Sequence, residues 1–201
     1  MDRRPALRAR LAGSPPACAA VVALVGFAVV AVVAFAIGSA VAHPHEDIDQ
    51  QVLLSVGTGE VIVQIRISPS FTEGAAIFAH IDADADGAIS EAEAEAFGAA
   101  VIADAALEVD GRRFDFNTPR VSVPALEWVA AGLGLIEVDA TAAVNLTAAE
   151  RHRVDFEILY EDLAHEWFVQ PFYFPELMSA LPQQSIERSA AGNRVRIAFA
   201  P

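Results

Sequence analysis

Alternation of apolar and polar residues constrains this chain more than any other feature. Apolar side chains occupy every second position across residues 61–67, 154–160 and 195–199. Because successive side chains of a strand point to opposite faces, this period of two predicts strands with one buried face. Pro and Gly interrupt the segments at close spacing, which favours a β-sandwich of roughly seven to nine strands.

Two turns predict how some of these strands are connected. Residues 57–59 (Gly-Thr-Gly) separate an apolar run at 52–56 from the alternation at 61–67, which is typical of a hairpin. Asp110-Gly111 lies between two further apolar segments, and Asp-Gly supplies the positive φ angles that a tight hairpin turn needs. We expect additional strands at 121–123 and 133–138.

One region, residues 70–106, departs from the strand pattern. It is rich in Ala and Glu, and Ala94, Phe97 and Val101 follow helical spacing. The spacing predicts two helices inserted between strands. The expected fold is therefore mainly β with an α insertion, an α+β arrangement in which a β-sandwich carries one helix-loop-helix unit.

Acidic residues recur at every second position between these two predicted helices. Residues 82–93 read DADADGAISEAE, and Gly87 allows the sharp turn in the middle. Calcium takes six to eight oxygen ligands at about 2.3–2.6 Å, which a twelve-residue loop supplies from its positions 1, 3, 5, 7, 9 and 12. The expected ligands are the carboxylates of Asp82, Asp84 and Asp86, the backbone carbonyl of Ala88, Ser90 through a water, and both carboxylate oxygens of Glu93.

The loop also predicts what calcium does. Without a cation the crowded carboxylates repel one another, and the short helices on either side are marginal on their own. Ser90 and Glu93 form a capping box that specifies the start of the second helix. We expect calcium to order this helix-loop-helix insertion.

An uncharged stretch of 26 residues, 17–42, precedes the predicted domain. Four arginines come before it, and Ala40-Val41-Ala42 ends it with the small residues that signal peptidase recognises. These features predict a secretory signal peptide. An uncleaved membrane anchor is the alternative, since about 18 apolar residues suffice to span a bilayer. Either reading places residues 43–201 outside the cytoplasm, in the periplasm or extracellular space.

The exported part is strongly acidic and has no thiol. Its 159 residues hold nine arginines and 26 acidic residues, a net charge of −17 that excludes nucleic acid as a partner. Cys18, the one cysteine, lies within the uncharged stretch. Residues 43–201 therefore have no cysteine for a disulfide, a thiolate metal site or a nucleophile.

Histidines provide an alternative metal site. A free amino group at His43, if cleavage follows Ala42, could bind nickel or copper together with its ring nitrogen, and His45 and His165 are further candidates. In that alternative the protein handles transition metals and calcium is structural. Motifs for a zinc protease, a serine hydrolase, a phosphate loop or a dinucleotide site do not occur, so we expect no enzymatic activity.

Two resemblances accompany these motifs. Within residues 70–106 the loop resembles the EF-hand family. The order His43-Pro44, DADADGAISEAEAEAF, LEVDGRRF and HRVDFEILYED is similar to the exported amino-terminal region of bacterial nickel/cobalt transporter-type membrane proteins. Those transporters continue into several membrane helices, which residues 43–201 do not contain. The resemblance implies a stand-alone or accessory version of the domain, with an envelope or membrane-transport protein as partner.

Overall fold

A computed structural model describes residues 48–148, 150–164 and 166–201. The expected signal segment at 17–42 and the histidines His43, His45 and His165 lie outside these residues. No helix in the described ranges is both long enough and apolar enough to cross a membrane.

Ten strands and four helices make up the described part of the chain. In chain order they are β1 Asp49–Val56, β2 Glu60–Ser68, α1 Gly74–Ile81, α2 Glu91–Ala103, β3 Ala105–Val109, β4 Arg112–Phe114, β5 Arg120–Ser122, α3 Leu126–Ala130, β6 Ile136–Ala143, β7 His152–Ile158, β8 Phe168–Tyr173, α4 Pro175–Ala180, β9 Gln183–Arg188 and β10 Arg194–Ala200.

The strands form two five-stranded sheets. The order in the first sheet is β5-β6-β2-β1-β8, and the order in the second is β4-β3-β7-β10-β9. Neighbouring strands are antiparallel except for β1 and β8, which are parallel. The fold is thus mostly β and resembles a sandwich, as the alternation predicted.

The core lies between the two sheets because the alternating apolar side chains point inward. From the first sheet, Leu54 and Val63 are fully buried, and from the second sheet Phe156 and Ile197 are as well. At roughly 1.5–3 kcal/mol for each large apolar side chain removed from water, this shared core is the main stabilising contribution. No cysteine occurs in the described residues, so no disulfide adds to it.

The predicted hairpins are confirmed, and some boundaries are corrected. β1 pairs with β2 across residues 57–59, and Asp110 and Gly111 join β3 to β4 with φ angles of 54° and 78°. The strand expected at 133–138 starts only at Ile136 and runs to Ala143, because Leu133 and Leu135 lie in an exposed turn before it. The ten strands observed exceed the seven to nine expected.

Candidate metal centre

The acidic loop begins where α1 ends and closes where α2 begins. Asp82 is the C-cap of α1, and its backbone N–H donates to Phe78 O at 2.9 Å. Ser90 is the N-cap of α2, with extended backbone angles. The sequence positions expected for the first and last ligands are therefore fixed to two helix ends.

Three of the expected ligands lie together. Carboxylate oxygens of Asp82, Asp84 and Asp86 are all within 4.8 Å of one another, with Asp82 buried and the other two exposed. Backbone N–H groups support them: Asp86 N donates to Asp82 Oδ1 at 3.1 Å, and Gly87 N donates to Asp82 Oδ2 at 2.9 Å. The loop backbone thus wraps around the Asp82 carboxylate.

Two left-handed backbone positions produce this wrapping. Gly87 has a φ of 85°, as its expected role in the sharp turn requires, and Ala85 has a φ of 58°. Alanine occupies the left-handed region at a cost of about 1–2 kcal/mol, so the surrounding loop contacts must offset this strain.

Glu93 connects the end of the loop to its beginning. Its Oε1 accepts from the backbone N–H groups of Ala83 at 2.7 Å and Asp84 at 3.2 Å. Its Oε2 accepts from Ser90 N at 2.9 Å and from Ser90 Oγ at 2.8 Å. Ser90 Oγ in turn accepts from Glu93 N, so the predicted capping box is present.

The hydrogen bonds and charges of the loop shift two pKa values in opposite directions. Donation by Ser90, from both its backbone and its hydroxyl, lowers the pKa of Glu93 to about 2. At Asp84 the backbone hydrogen bond from Asp86 lowers the pKa, but desolvation and the charges of Asp86, Glu93 and Asp82 outweigh it, and the net pKa is raised. The raised pKa of Asp84 therefore reflects the mutual repulsion of the loop carboxylates.

The expected ligands are not all in one cluster. Among the described residues, the acidic group within 4.8 Å holds the three aspartates and leaves out Glu93, whose oxygens bond to the backbone instead. Ala88 and Ser90 lie in the exposed second half of the loop. His43, His45 and His165 lie outside the described residues, so their role in transition-metal binding stays a prediction.

The helices beside the loop pack onto the sandwich through an aromatic cluster. Phe78, Ile81 and Phe97 are buried. The Phe97 ring lies edge-on to the rings of Tyr160 at 6.2 Å and His80 at 6.5 Å, measured between centroids. Burial raises the pKa of Tyr160 to about 12, so this residue keeps its hydroxyl proton beside His80 Nε2, 3.2 Å away.

The structure also pairs His152 with Asp110, a contact that was not predicted from the sequence. His152 is the buried first residue of β7, and its Nδ1 lies 2.8 Å from Asp110 Oδ2. Its Nε2 lies 3.1 Å from the carbonyl oxygen of Thr147. Protein oxygens face both ring nitrogens, and His152 thereby links the Asp-Gly turn to β7 and to Thr147.

Comparison with known families finds no family model that matches this chain, and comparison with curated proteins finds no match either. The resemblances to EF-hand loops and to the exported region of nickel/cobalt transporter-type proteins therefore stay predictions.

Proposed function

We propose that this protein is an exported, non-enzymatic domain that binds one calcium ion in the loop of an EF-hand-like helix-loop-helix unit, residues 74–103. The observation that supports it is the convergence of Asp82, Asp84 and Asp86 to within 4.8 Å at the start of the loop. Carboxylates this close repel one another, and the attraction of each carboxylate to a divalent cation bound between them offsets that repulsion.

The donor set fits a hard cation. Every expected ligand is an oxygen, and calcium and magnesium are the common ions that bind through oxygen alone. A loop with a carboxylate at its twelfth position favours calcium, because magnesium demands a smaller octahedral shell. For Glu93 to bind the ion through both oxygens, its Oε1 must release the N–H groups of Ala83 and Asp84, and its Oε2 must release the N–H and hydroxyl of Ser90.

Calcium bound here would hold the two helices together. Asp82 directly follows α1 and Glu93 lies in the first turn of α2, so ligands at both ends of the loop fix the spacing of the helices. Since α1 and α2 bury Phe78 and Phe97 in the core, that spacing also determines how they pack on the sandwich. For a single exported loop we expect a dissociation constant of about 10⁻⁵ to 10⁻³ M.

Calorimetry on the full chain in detergent, after removal of divalent cations, tests the proposal with Glu93→Gln. Glutamine can keep the bonds to Ser90 but has one charge fewer and only one oxygen. We expect at least a tenfold loss of calcium affinity. Glu95→Gln is the matched control, since Glu95 is exposed on the same helix and carries the same charge.

Two outcomes would contradict the proposal. Equal weakening by Glu93→Gln and Glu95→Gln would mean that calcium responds only to the general negative charge of this region. Absence of any binding heat with millimolar calcium would remove the site altogether.

A further inference from the structure

Exposed apolar side chains are concentrated at one end of the domain. Nine large apolar residues are exposed in the described part of the chain, and five of them belong to the connections that follow β2 and β5 and precede β6. We refer to these five as the apolar end: Phe71, Leu126, Trp128, Leu133 and Leu135. Phe71 and Leu133 are the most exposed, at 76% and 72%.

Strand register places all five residues at one end of the first sheet. Asp49 pairs with Ser68 and Ile67 pairs with Ile136, so the connection after β2 and the turn before β6 leave the sheet together. Ser122, the last residue of β5, pairs with Glu137, so the chain from β5 to α3 also leaves here. The start of β1 is at this same end.

A close backbone approach and a helix cap hold these residues together. Gly132, with a φ of 70°, ends α3: its N–H donates to Val129 O at 3.0 Å, and Leu133 N donates to Trp128 O at 2.9 Å. This is a Schellman motif, in which the residue after the glycine commonly packs against the position of Trp128. A Cβ on Gly132 would lie only 2.8 Å from Phe71 N, so Phe71 adjoins the same turn.

We propose that in the uncleaved form, in which residues 17–42 serve as the membrane anchor, the apolar end rests on the surface of the phospholipid bilayer. The chain reaches β1 from that uncharged stretch through residues 43–48, and seven extended residue steps span at most roughly 25 Å. The start of β1 is thereby confined near the bilayer whenever residues 17–42 remain attached. Asp49 and Phe71 line the same shallow pocket of about 320 Å³, so the apolar end is confined with it.

The chemistry of the residues suits this occupant. Trp and Phe are enriched where proteins meet lipid headgroups, because their rings bury apolar area at the boundary of the hydrocarbon. Exposed Asp49, Glu73 and Glu127 flank the apolar end and disfavour anionic headgroups. The lipid surface that fits is zwitterionic, of the phosphatidylcholine or phosphatidylethanolamine type.

Quenching of tryptophan fluorescence by brominated lipid tests the proposal. The two tryptophans differ, since Trp128 is 55% exposed and Trp167 is buried, and the signal lost in Trp128→Phe isolates Trp128. The full chain is reconstituted into phosphatidylcholine vesicles brominated near the headgroup end of the acyl chains. We expect loss of most of the Trp128 emission, and weaker quenching when phosphatidylglycerol replaces half of the lipid.

Charged substitutions test whether quenching depends on the apolar end or on any exposed apolar residue. Phe71→Asp combined with Leu133→Asp should restore the Trp128 emission. Leu159→Asp, at an apolar residue as exposed as Trp128 but on the loop after β7, should leave quenching unchanged. Circular dichroism of each variant reports whether the sandwich stays folded, and Glu93→Gln should not alter quenching.

Three results would overturn the proposal. The first is full Trp128 emission in a chain that floats with the vesicles, which means that the apolar end faces water. The second is unquenched Trp128 with cross-links between chains, which identifies a second copy as the occupant. The third is a full chain that does not float with the vesicles, which shows that neither segment holds it at a bilayer.

Discussion

Asp110 combines a backbone role with a side-chain role. Its φ of 54° belongs to the turn between β3 and β4, while its Oδ1 accepts from Arg153 N at 2.7 Å and its Oδ2 meets His152 Nδ1. Burial raises the pKa of Asp110, but the hydrogen bonds from His152 and Arg153 more than offset this, and the net pKa is lowered. The ionised carboxylate is thus favoured in the folded state.

This lowered pKa predicts how stability depends on pH. A depressed folded pKa contributes stability above the unfolded value, near pH 4, and that contribution is lost as the pH falls through the folded pKa. Asp110→Asn keeps a side chain that tolerates positive φ but removes the charge. We expect it to lower the free energy of unfolding by about 1 kcal/mol at pH 7, a small value because Asp110 is half exposed.

Urea unfolding between pH 3 and pH 7 provides the measurement, with Asp115→Asn as control at an exposed position nearby. The difference between wild type and Asp110→Asn should shrink below pH 4. A difference that stays constant across this range would show that the charge of Asp110 does not contribute.

The candidate calcium ligands could be predicted from the sequence, whereas the contact between Asp110 and His152 could not. Candidate calcium ligands were identified from spacing, because all of them lie within twelve consecutive residues. The contact between Asp110 and His152 joins residues 42 apart. Only the pairing of β3 with β7 brings them together, and no local pattern encodes that pairing.

Among the elements, α2 packs on the edge of the first sheet through a glycine. Gly98 is buried, and a Cβ added there would overlap Cγ2 of Val121 in β5 and lie 3.1 Å from Cγ of Pro119. The absence of a side chain therefore lets the second helix of the proposed calcium unit approach β5.

Gly98→Ala is expected to destabilise the protein although it improves helix propensity. An exposed helical Gly→Ala change gains about 1 kcal/mol, whereas forcing a methyl group into this contact costs about 1–3 kcal/mol. We expect a net loss of about 1 kcal/mol in urea unfolding. Gly59→Ala, where a Cβ meets nothing within 4 Å, is the control, and a clear gain for Gly98→Ala would refute the tight contact.

Elements with strong periodicity or a clear turn signal were predicted, whereas β8, β9, α3 and α4 were not. β9 is exposed at all six positions, so it shows no alternation, and β8 contains Pro171, which breaks the strand pattern. α3 and α4 have five and six residues, too few to show a period of 3.6. The successful predictions of the other elements therefore depended on the pattern of burial rather than on the intrinsic propensity of the residues.

For the whole molecule, the proposed calcium site predicts a local effect on stability. The loop carboxylates lie outside the core between the sheets, and the strands bury apolar residues that do not depend on the ion. At ten times its dissociation constant, calcium should stabilise the domain by about 1.4 kcal/mol. For a domain of this size the melting temperature should rise by a few degrees.

Hydrogen exchange with and without calcium locates that effect. Protection should rise in residues 70–106 and change little in β7 and β10, which serve as the internal control. An equal rise across the strands would mean that calcium governs global folding, and it would contradict the local role proposed for the ion.

The class of the fold was predictable, but the arrangement of its sheets was not. Alternation indicates that a strand has one buried face without indicating its neighbours. The parallel pairing of β1 with β8 joins strands that are far apart in the chain, and Gln50 Nε2 of β1 supports it by donating to Ala164 O at 2.9 Å. Arg188 of β9 donates to the carbonyl oxygen of Val169 and so connects β8 to the second sheet.

The parallel pairing of β1 with β8 also determines how long one edge of β1 stays uncovered during synthesis. Gln50 and Ala164 are 114 residues apart, so β1 and β2 emerge from the ribosome long before β8 exists to cover the second edge of β1. Until then the edge presents a row of unpaired backbone groups, which is a site for mispairing with other chains. Closing so long a loop is slow compared with forming a hairpin. The nascent chain therefore carries an exposed strand edge until residues 168–173 have been synthesised.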